Sequence, residues 1–252
     1  MMIDRGVEMI ELQEEAFGQK TALHPVLIWD ETSAALIDTG MPGSWERIKA
    51  AMADCGVAPE KLAAVILTHQ DFDHVGSIEE IRRELGDRVK VYAHPLDRPY
   101  IEGDLPLTKT TPEIMEKTLA ALPEEPRKKA LALFANPPKT KVDAALTDGQ
   151  LLPFGGGLQV IHTPGHTEGH VSLYLPQSKI LLAVDAMMII GGKLHGPVPQ
   201  TSLDLAEARR SVAKFLDYDI ETVVCYHGGL LEWEPMEQIR RIAAEADRAG
   251  KE

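Results

Sequence analysis

The 252-residue sequence predicts an α/β protein in which two β-sheets pack face to face with helices outside them. Three observations predict this. Short aliphatic runs recur along the chain, bounded by turn residues. Helical stripes separate those runs, and the β-rich-then-mixed order appears in each half. The run AAVIL at 63–67 leads through a helical stripe to VKVYA at 89–93, a β-α-β unit that implies parallel pairing.

The elements follow in order. Residues 7–12, 26–29 and 34–37 read as strands separated by polar and turn residues. Met41-Pro42-Gly43-Ser44 breaks the pattern, and a helix from about 45 to 54 ends at Cys55-Gly56. After AAVIL, Val75, Ile78, Ile81 and Leu85 share one helical face, which Gly86-Asp87 closes. From about 95 to 140 the chain is rich in Pro, Lys and Glu, with helical pieces near 112–122 and 126–135. This stretch reads as a helical insertion whose Ile114, Met115, Leu119, Leu131 and Phe134 serve packing. From Val142 β-structure returns, with strands at 158–161, 171–175 and 180–184. Residues 202–216 form an amphipathic helix with Leu205, Ala208, Val212 and Phe215 on one face. A last strand at 222–226 precedes a helix opened by Pro235, a favourable first helical residue. No linker divides the chain, so one domain spanning 1–252 is expected.

The net charge of −13 argues against a nucleic-acid surface, which needs clustered Lys and Arg, and against anionic membranes. The two cysteines, Cys55 and Cys225, form no CxxC pair, so no thiolate zinc site is expected. Cys225, in TVVCY, reads as a small core residue. The opening residues hold no apolar segment of signal-peptide length, and no stretch approaches ~20 apolar residues. A soluble cytoplasmic protein is the expectation, with a small-molecule substrate and, as an assembly compatible with it, a homodimer.

The chemistry concentrates at strand ends. In THQDFDH, His69, Asp71, Asp73 and His74 lie within six residues after a buried strand. Alternate residues of an extended segment point the same way, so His69, Asp71 and Asp73 can converge, with His74 turned to a neighbouring point. His166 follows the strand LQVI within TPGHTEGH. Asp185 ends the apolar strand LLAVDA, where a carboxylate is costly unless paired or metal-bound. His227 ends the last strand, in VVCYHGG. Each alone is a weak signal. Together they point to a site for zinc, manganese or iron. Of the other histidines, His162 and His170 read as structural, His94 as a support behind the site, and His24 carries no distinguishable signal.

With these motifs the chain resembles the metallo-β-lactamase superfamily, which includes glyoxalase II, acyl-homoserine lactonases, ribonuclease Z and flavodiiron proteins. The resemblance runs from LIDTG at 36–40 to HGG at 227–229, and small bacterial members with a THQD-type motif are most alike. It implies a four-layer αββα sandwich binding two divalent metal ions, zinc foremost and manganese or iron as alternatives. It implies that His69, Asp71 and His166 bind the first metal and Asp73, His74 and His227 the second, with Asp185 bridging them. Asp38 matches an acidic residue that supports the ligands from behind.

Asp71 departs from the common HxHxDH pattern. Two divalent ions, three aspartates and a hydroxide sum to zero charge, whereas a histidine at position 71 would leave +1. The oxygen ligand should favour manganese or iron more than a histidine would. Alternatively, Asp71 stands behind the ligands and one metal site is weak. The implied mechanism has two metals ~3.5–4 Å apart sharing a hydroxide nucleophile, with Asp73 as the nearest proton carrier. Phe72, Tyr100, Met187, Met188, Lys193, His195 and Tyr226 are the candidate substrate contacts. The expected reaction is hydrolysis of a lactone, thioester or related acyl compound. The alternatives are an iron-dependent oxidoreductase of the same fold, β-lactamase or phosphodiesterase activity, and a non-catalytic metal scaffold.

Overall fold

Strand alternation sets the layers of the molecule. The structure, a computed structural model, describes residues 1–16, 19–110, 115–116, 119–120 and 122–249. In the first half lie β1 (Met2–Asp4), β2 (Val7–Met9), β3 (Leu12–Ala16), β4 (Gln19–Leu23), β5 (Val26–Trp29), β6 (Ala34–Ile37), β7 (Leu62–Ile66) and β8 (Lys90–Ala93). Then come β9 (Ala144–Ala145), β10 (Leu151–Leu152), β11 (Leu158–His162), β12 (Val171–Leu175) and β13 (Ile180–Val184). Last are β14 (Met188–Ile190), β15 (Lys193–His195), β16 (Thr222–Cys225) and β17 (Gly229–Leu231). Among the described residues, one sheet has the order β1-β2-β5-β6-β7-β8-β9 and a second β10-β11-β12-β13-β16-β17. The pairings β6–β7 and β7–β8 are parallel, as the β-α-β reading requires.

Successive residues on a strand face opposite sides, so each central strand feeds two cores. Ile28, Ile37 and Ile66 of the first sheet meet Val160, Leu173 and Leu182 of the second in the layer between the sheets. Their neighbours Leu27, Leu36 and Val65 turn outward onto Trp45, Ile48, Ile78 and Ile81. These last belong to α1 (Trp45–Asp54) and to a helix at Ile78–Leu85. Leu181, Ala183 and Val223 turn outward on the other side, onto Val212, Phe215, Ile239 and Ile242. The result is an αββα sandwich, the predicted fold class.

Three details differ from the sequence reading. The hairpin β3–β4 was not legible, because its residues are mostly polar. Its apolar ends Leu12 and Leu23 pair with each other and are buried. The helix predicted over 202–216 is shorter, running Leu205–Ala213 with a 3₁₀ turn at Lys214–Asp217. It starts where the Asp204 side chain accepts the Glu207 N–H at 2.8 Å, a cap that satisfies one free donor of the first turn. The insertion contains short helices at Arg98–Ile101 and Glu124–Ala135. The piece predicted near 112–122, with Ile114, falls largely outside the described residues. In the insertion Leu119 is buried, whereas Leu131 is exposed. No helix of the described residues is long and apolar enough to cross a membrane.

Candidate metal centre

The loops that follow β7, β11, β13 and β16 bring all seven predicted donors together. After β7 the chain bends at His69 and Gln70, is extended at Asp71 (φ −67°, ψ 149°) and turns helical at Phe72–Val75, our α2. This corrects the expectation that His69, Asp71 and Asp73 converge on one side. The helical turn sends Asp73 with His74 instead, since neighbouring helical residues diverge far less than neighbouring strand residues. Two donor groups result: His69, Asp71 and His166, and Asp73, His74 and His227.

In the first group, His166 Nε2 is 3.0 Å and His69 Nε2 3.4 Å from Asp71 Oδ2. In the second, His227 Nε2 is 3.3 Å and His74 Nε2 3.8 Å from Asp73 Oδ2. Asp185 stands between them. Its Oδ2 lies 3.4 Å from His166 Nε2 and 3.5 Å from His227 Nε2, and its Oδ1 lies 3.5 Å from His74 Nε2. Asp185 follows Val184, a β-branched residue at φ 55°. Such a residue is rarely found there, and the strain marks a strand end held in place by its surroundings.

The donor set fits metal ions. His74 Nδ1 donates to Asp38 Oδ2 at 2.8 Å, which leaves Nε2 as the lone-pair nitrogen facing the cluster. Thr68 Oγ1 donates to Asp38 Oδ2 at 2.7 Å and so is free to accept from His69 Nδ1, 3.1 Å away. His69 Nε2, His74 Nε2 and Asp185 Oδ1 are buried without a hydrogen-bond partner. Buried polar atoms are normally paired, so these three call for a ligand. The cluster is also short of positive charge. Burial depresses the His227 imidazole, yet Asp185 and Asp73 outweigh burial and push its pKa up to about 10.

Two buried residues that the sequence reading missed tie the loops together. Asp97, wholly buried, accepts the Gln70 N–H at 3.0 Å, the Thr167 hydroxyl at 2.7 Å and the Gly169 N–H at 2.9 Å. It thus joins the His69–His74 loop to the His166 loop. Gln70 accepts the Thr108 N–H at 2.8 Å, and the next residue, Lys109, reaches the first donor group. Lys109 Nζ is 2.5 Å from Asp71 Oδ2 and 2.7 Å from His166 Nε2. Burial raises the Asp71 pKa, but Lys109 and His69 beside it hold the carboxyl well below its ordinary value.

The cluster opens into a cavity of about 320 Å³ walled by Met187, Met188, Val198 and Thr201. The expected contacts Phe72, Tyr100, Lys193, His195 and Tyr226 do not line it. Phe72 instead faces Phe134 of the insertion, ring centres 5.4 Å apart. Tyr100 lies half-buried on the Arg98–Ile101 helix. Tyr226 is 3% exposed, with its ring 3.9 Å from that of His74 and its hydroxyl donating to the Asp73 carbonyl. It sits in the turn after β16 and supports the second group by packing on His74, away from the opening. Lys193 and His195 are exposed on β15. His195 borders an adjoining groove of about 430 Å³ that shares Met188 and Val198 with the cavity. His170 and His162 play structural parts: His170 Nδ1 is 2.9 Å from Thr163 Oγ1, and the His162 ring stacks on His94 at 4.1 Å. A larger cavity of about 580 Å³, between the Ile78–Leu85 helix and the Glu124–Ala135 helix, contains none of the seven donors.

An αββα sandwich carrying this cluster of histidines and aspartates defines a metallo-hydrolase. The chain belongs to the metallo-β-lactamase superfamily, whose model matches residues 24–227. It is 32% identical over 207 residues to the probable metallo-hydrolase YflN of Bacillus subtilis (strain 168), covering 78% of this chain and 75% of that protein. It is 27% identical over 169 residues to the hydroxyacylglutathione hydrolase GloC of Haemophilus influenzae, covering 64% of this chain and 65% of that protein. The solved metallo-β-lactamase family protein TTHA1429 of Thermus thermophilus matches the fold with a TM-score of 0.71 at 21% identity, over 98% of this chain and 81% of that one.

Proposed function

We propose that this protein hydrolyses a small ester-like compound, a thioester, lactone or related acyl derivative, with two divalent metal ions. Zinc is the foremost candidate and manganese or iron the alternatives. One observation carries the reading: the Asp185 carboxylate stands within 3.5 Å of donor nitrogens from both groups. His69, Asp71 and His166 would hold one ion, Asp73, His74 and His227 the other, with Asp185 reaching both. Ions so held supply an activated water nucleophile and polarise the scissile carbonyl.

The chain's own residues do the rest. Asp38 and Thr68 keep the histidine nitrogens aimed inward. Asp73, on the cavity floor, is the carboxylate positioned to take a proton from the attacking water and pass it to the leaving group as that group departs. Met187, Met188 and Val198 give the mouth an apolar wall suited to an acyl chain, and the cavity volume suits a small ligand. The relationship to a hydroxyacylglutathione hydrolase supports an acyl substrate.

The test is metal analysis of the purified protein, then turnover of thioesters, lactones, β-lactams and phosphodiesters by samples reconstituted with each metal. Thioester or lactone hydrolysis that is lost in Asp185→Asn is the expected result. A metal-loaded protein without turnover on any acyl substrate overturns the proposal.

A further inference from the structure

Lys109 comes from the insertion, 38 residues beyond Asp71 in sequence, and meets the first donor group. Its Nζ, Asp71 Oδ2 and His166 Nε2 close a triangle with sides of 2.5, 2.7 and 3.0 Å. The arrangement is built from below. Gln70, 1% exposed and adjacent to Asp71, accepts both the Thr108 N–H at 2.8 Å and the Thr108 hydroxyl at 3.2 Å. Gln70 in turn is held by Asp97, through its backbone N–H at 3.0 Å and its side-chain amide at 3.3 Å. The motif that supplies the donors therefore also anchors the backbone next to Lys109. The second donor group has no such cation among the described residues. Among the described residues, the ion pairs of its histidines His74 and His227 are all with carboxylates, those of Asp38, Asp73 and Asp185.

We propose that Lys109 is an internal cation that competes with a metal ion for the Asp71–His166 side of the centre, so that the two metal sites differ in affinity. The proposal rests on the metallohydrolase reading above. An ammonium donates into the lone pairs of Asp71 Oδ2 and His166 Nε2, the same lone pairs a metal in that pocket would take. The imidazole nitrogen has a single lone pair and cannot serve both at once, whereas the carboxylate can share. A metal must therefore break the Lys109–His166 hydrogen bond and bring its charge up against, or displace, a like charge. Because Thr108 is tied to Gln70, the displaced ammonium stays close and returns readily. The site formed by Asp73, His74 and His227 carries no such penalty. Metal occupancy would be sequential, with the second group filled first.

The test uses metal-free full-length protein in equilibrium dialysis against Zn²⁺, and separately Mn²⁺, with bound metal counted by mass spectrometry. Wild type should bind one ion tightly and a second more weakly. Lys109→Met should tighten the weaker step on the order of 10- to 100-fold, the size expected for removing a charge-assisted hydrogen bond. The tighter step should move less than about 3-fold, within the usual context dependence of such effects. Lys109→Gln, which keeps polarity without charge, should behave like Lys109→Met and guards against a folding defect in one variant. Lys109→Arg should keep the weak step. Two ions bound with unchanged isotherms in Lys109→Met, or a weaker step that loosens further, overturn the competition. Failure of wild type and both neutral variants to bind any metal overturns the metallohydrolase reading itself, a distinct result.

Discussion

His74 Nδ1 lies 2.8 Å from Asp38 Oδ2, and both side chains are wholly buried. Asp38 reaches this position from a left-handed backbone (φ 60°) at the end of β6, and it also accepts the Thr68 N–H and hydroxyl. One carboxylate therefore aims the ring nitrogens of His74 directly and of His69 through Thr68. Partners behind metal-binding histidines commonly carry 10- to 100-fold of metal affinity. Asp38→Ala should weaken zinc binding by about that factor, with Asp38→Asn, which keeps one acceptor, intermediate. Zinc isotherms check this, and an undiminished affinity in Asp38→Ala would show that His74 is oriented by its packing on Tyr226 instead.

Asp97 governs stability rather than chemistry. Its removal leaves the Gln70 N–H, the Thr167 hydroxyl and the Gly169 N–H without their buried acceptor. Each buried unsatisfied group costs about 1–3 kcal/mol, and neighbouring losses do not add fully. Asp97→Ala should lower the unfolding free energy by roughly 3 kcal/mol in urea titrations. A loss below about 1 kcal/mol would mean that water replaces the carboxylate.

Asp71 sets the charge of the first donor group. In Asp71→His the cluster gains one positive charge and an imidazole in place of a hard oxygen donor. Metal preference should shift toward zinc relative to manganese, and the pH midpoint of turnover should fall. Competition dialysis with both metals, followed by a pH–rate profile, reads the two effects. Equal metal ratios and an unmoved profile would dismiss a direct role for Asp71.

His94 gives a pH dependence away from the metal donors. Burial, then the stacked His162, hold its pKa at about 4, while Asp97 and Asp148 act weakly in the opposite sense. The ordinary value is about 6.5. Between these limits the unfolded chain binds a proton that the folded chain refuses. Stability therefore falls as pH drops from about 6.5 through about 4. His94→Gln should flatten that part of the curve. The measurement is the difference in unfolding free energy between variant and wild type from pH 4 to 7, and parallel curves would contradict the assignment.

Much of the fold was legible because its strands obey a simple rule. Residues 26–29, 34–37 and 180–184 are buried on both faces, and such strands read as unbroken apolar runs. The hairpin β3–β4 obeys no such rule. It holds itself together by its own ladder and docks through buried Leu12 and Leu23 and through Arg47, which donates to the Gln13 carbonyl and pairs with Glu14.

The sequence by itself determined the donor types and their positions at strand ends, because imidazole and carboxylate groups in apolar surroundings have few other uses. The tertiary structure alone decided how they group. A single helical turn at Phe72 sends Asp73 away from Asp71, and the turn after β16 packs Tyr226 on the His74 ring rather than in the mouth. Lys109 and Asp97 left no local signal. Each acts through side-chain contacts 27 or more residues away in sequence, and only the folded chain brings such groups within hydrogen-bonding distance. A lysine on a polar insertion reads as a solvated side chain until folding places its ammonium between Asp71 and His166.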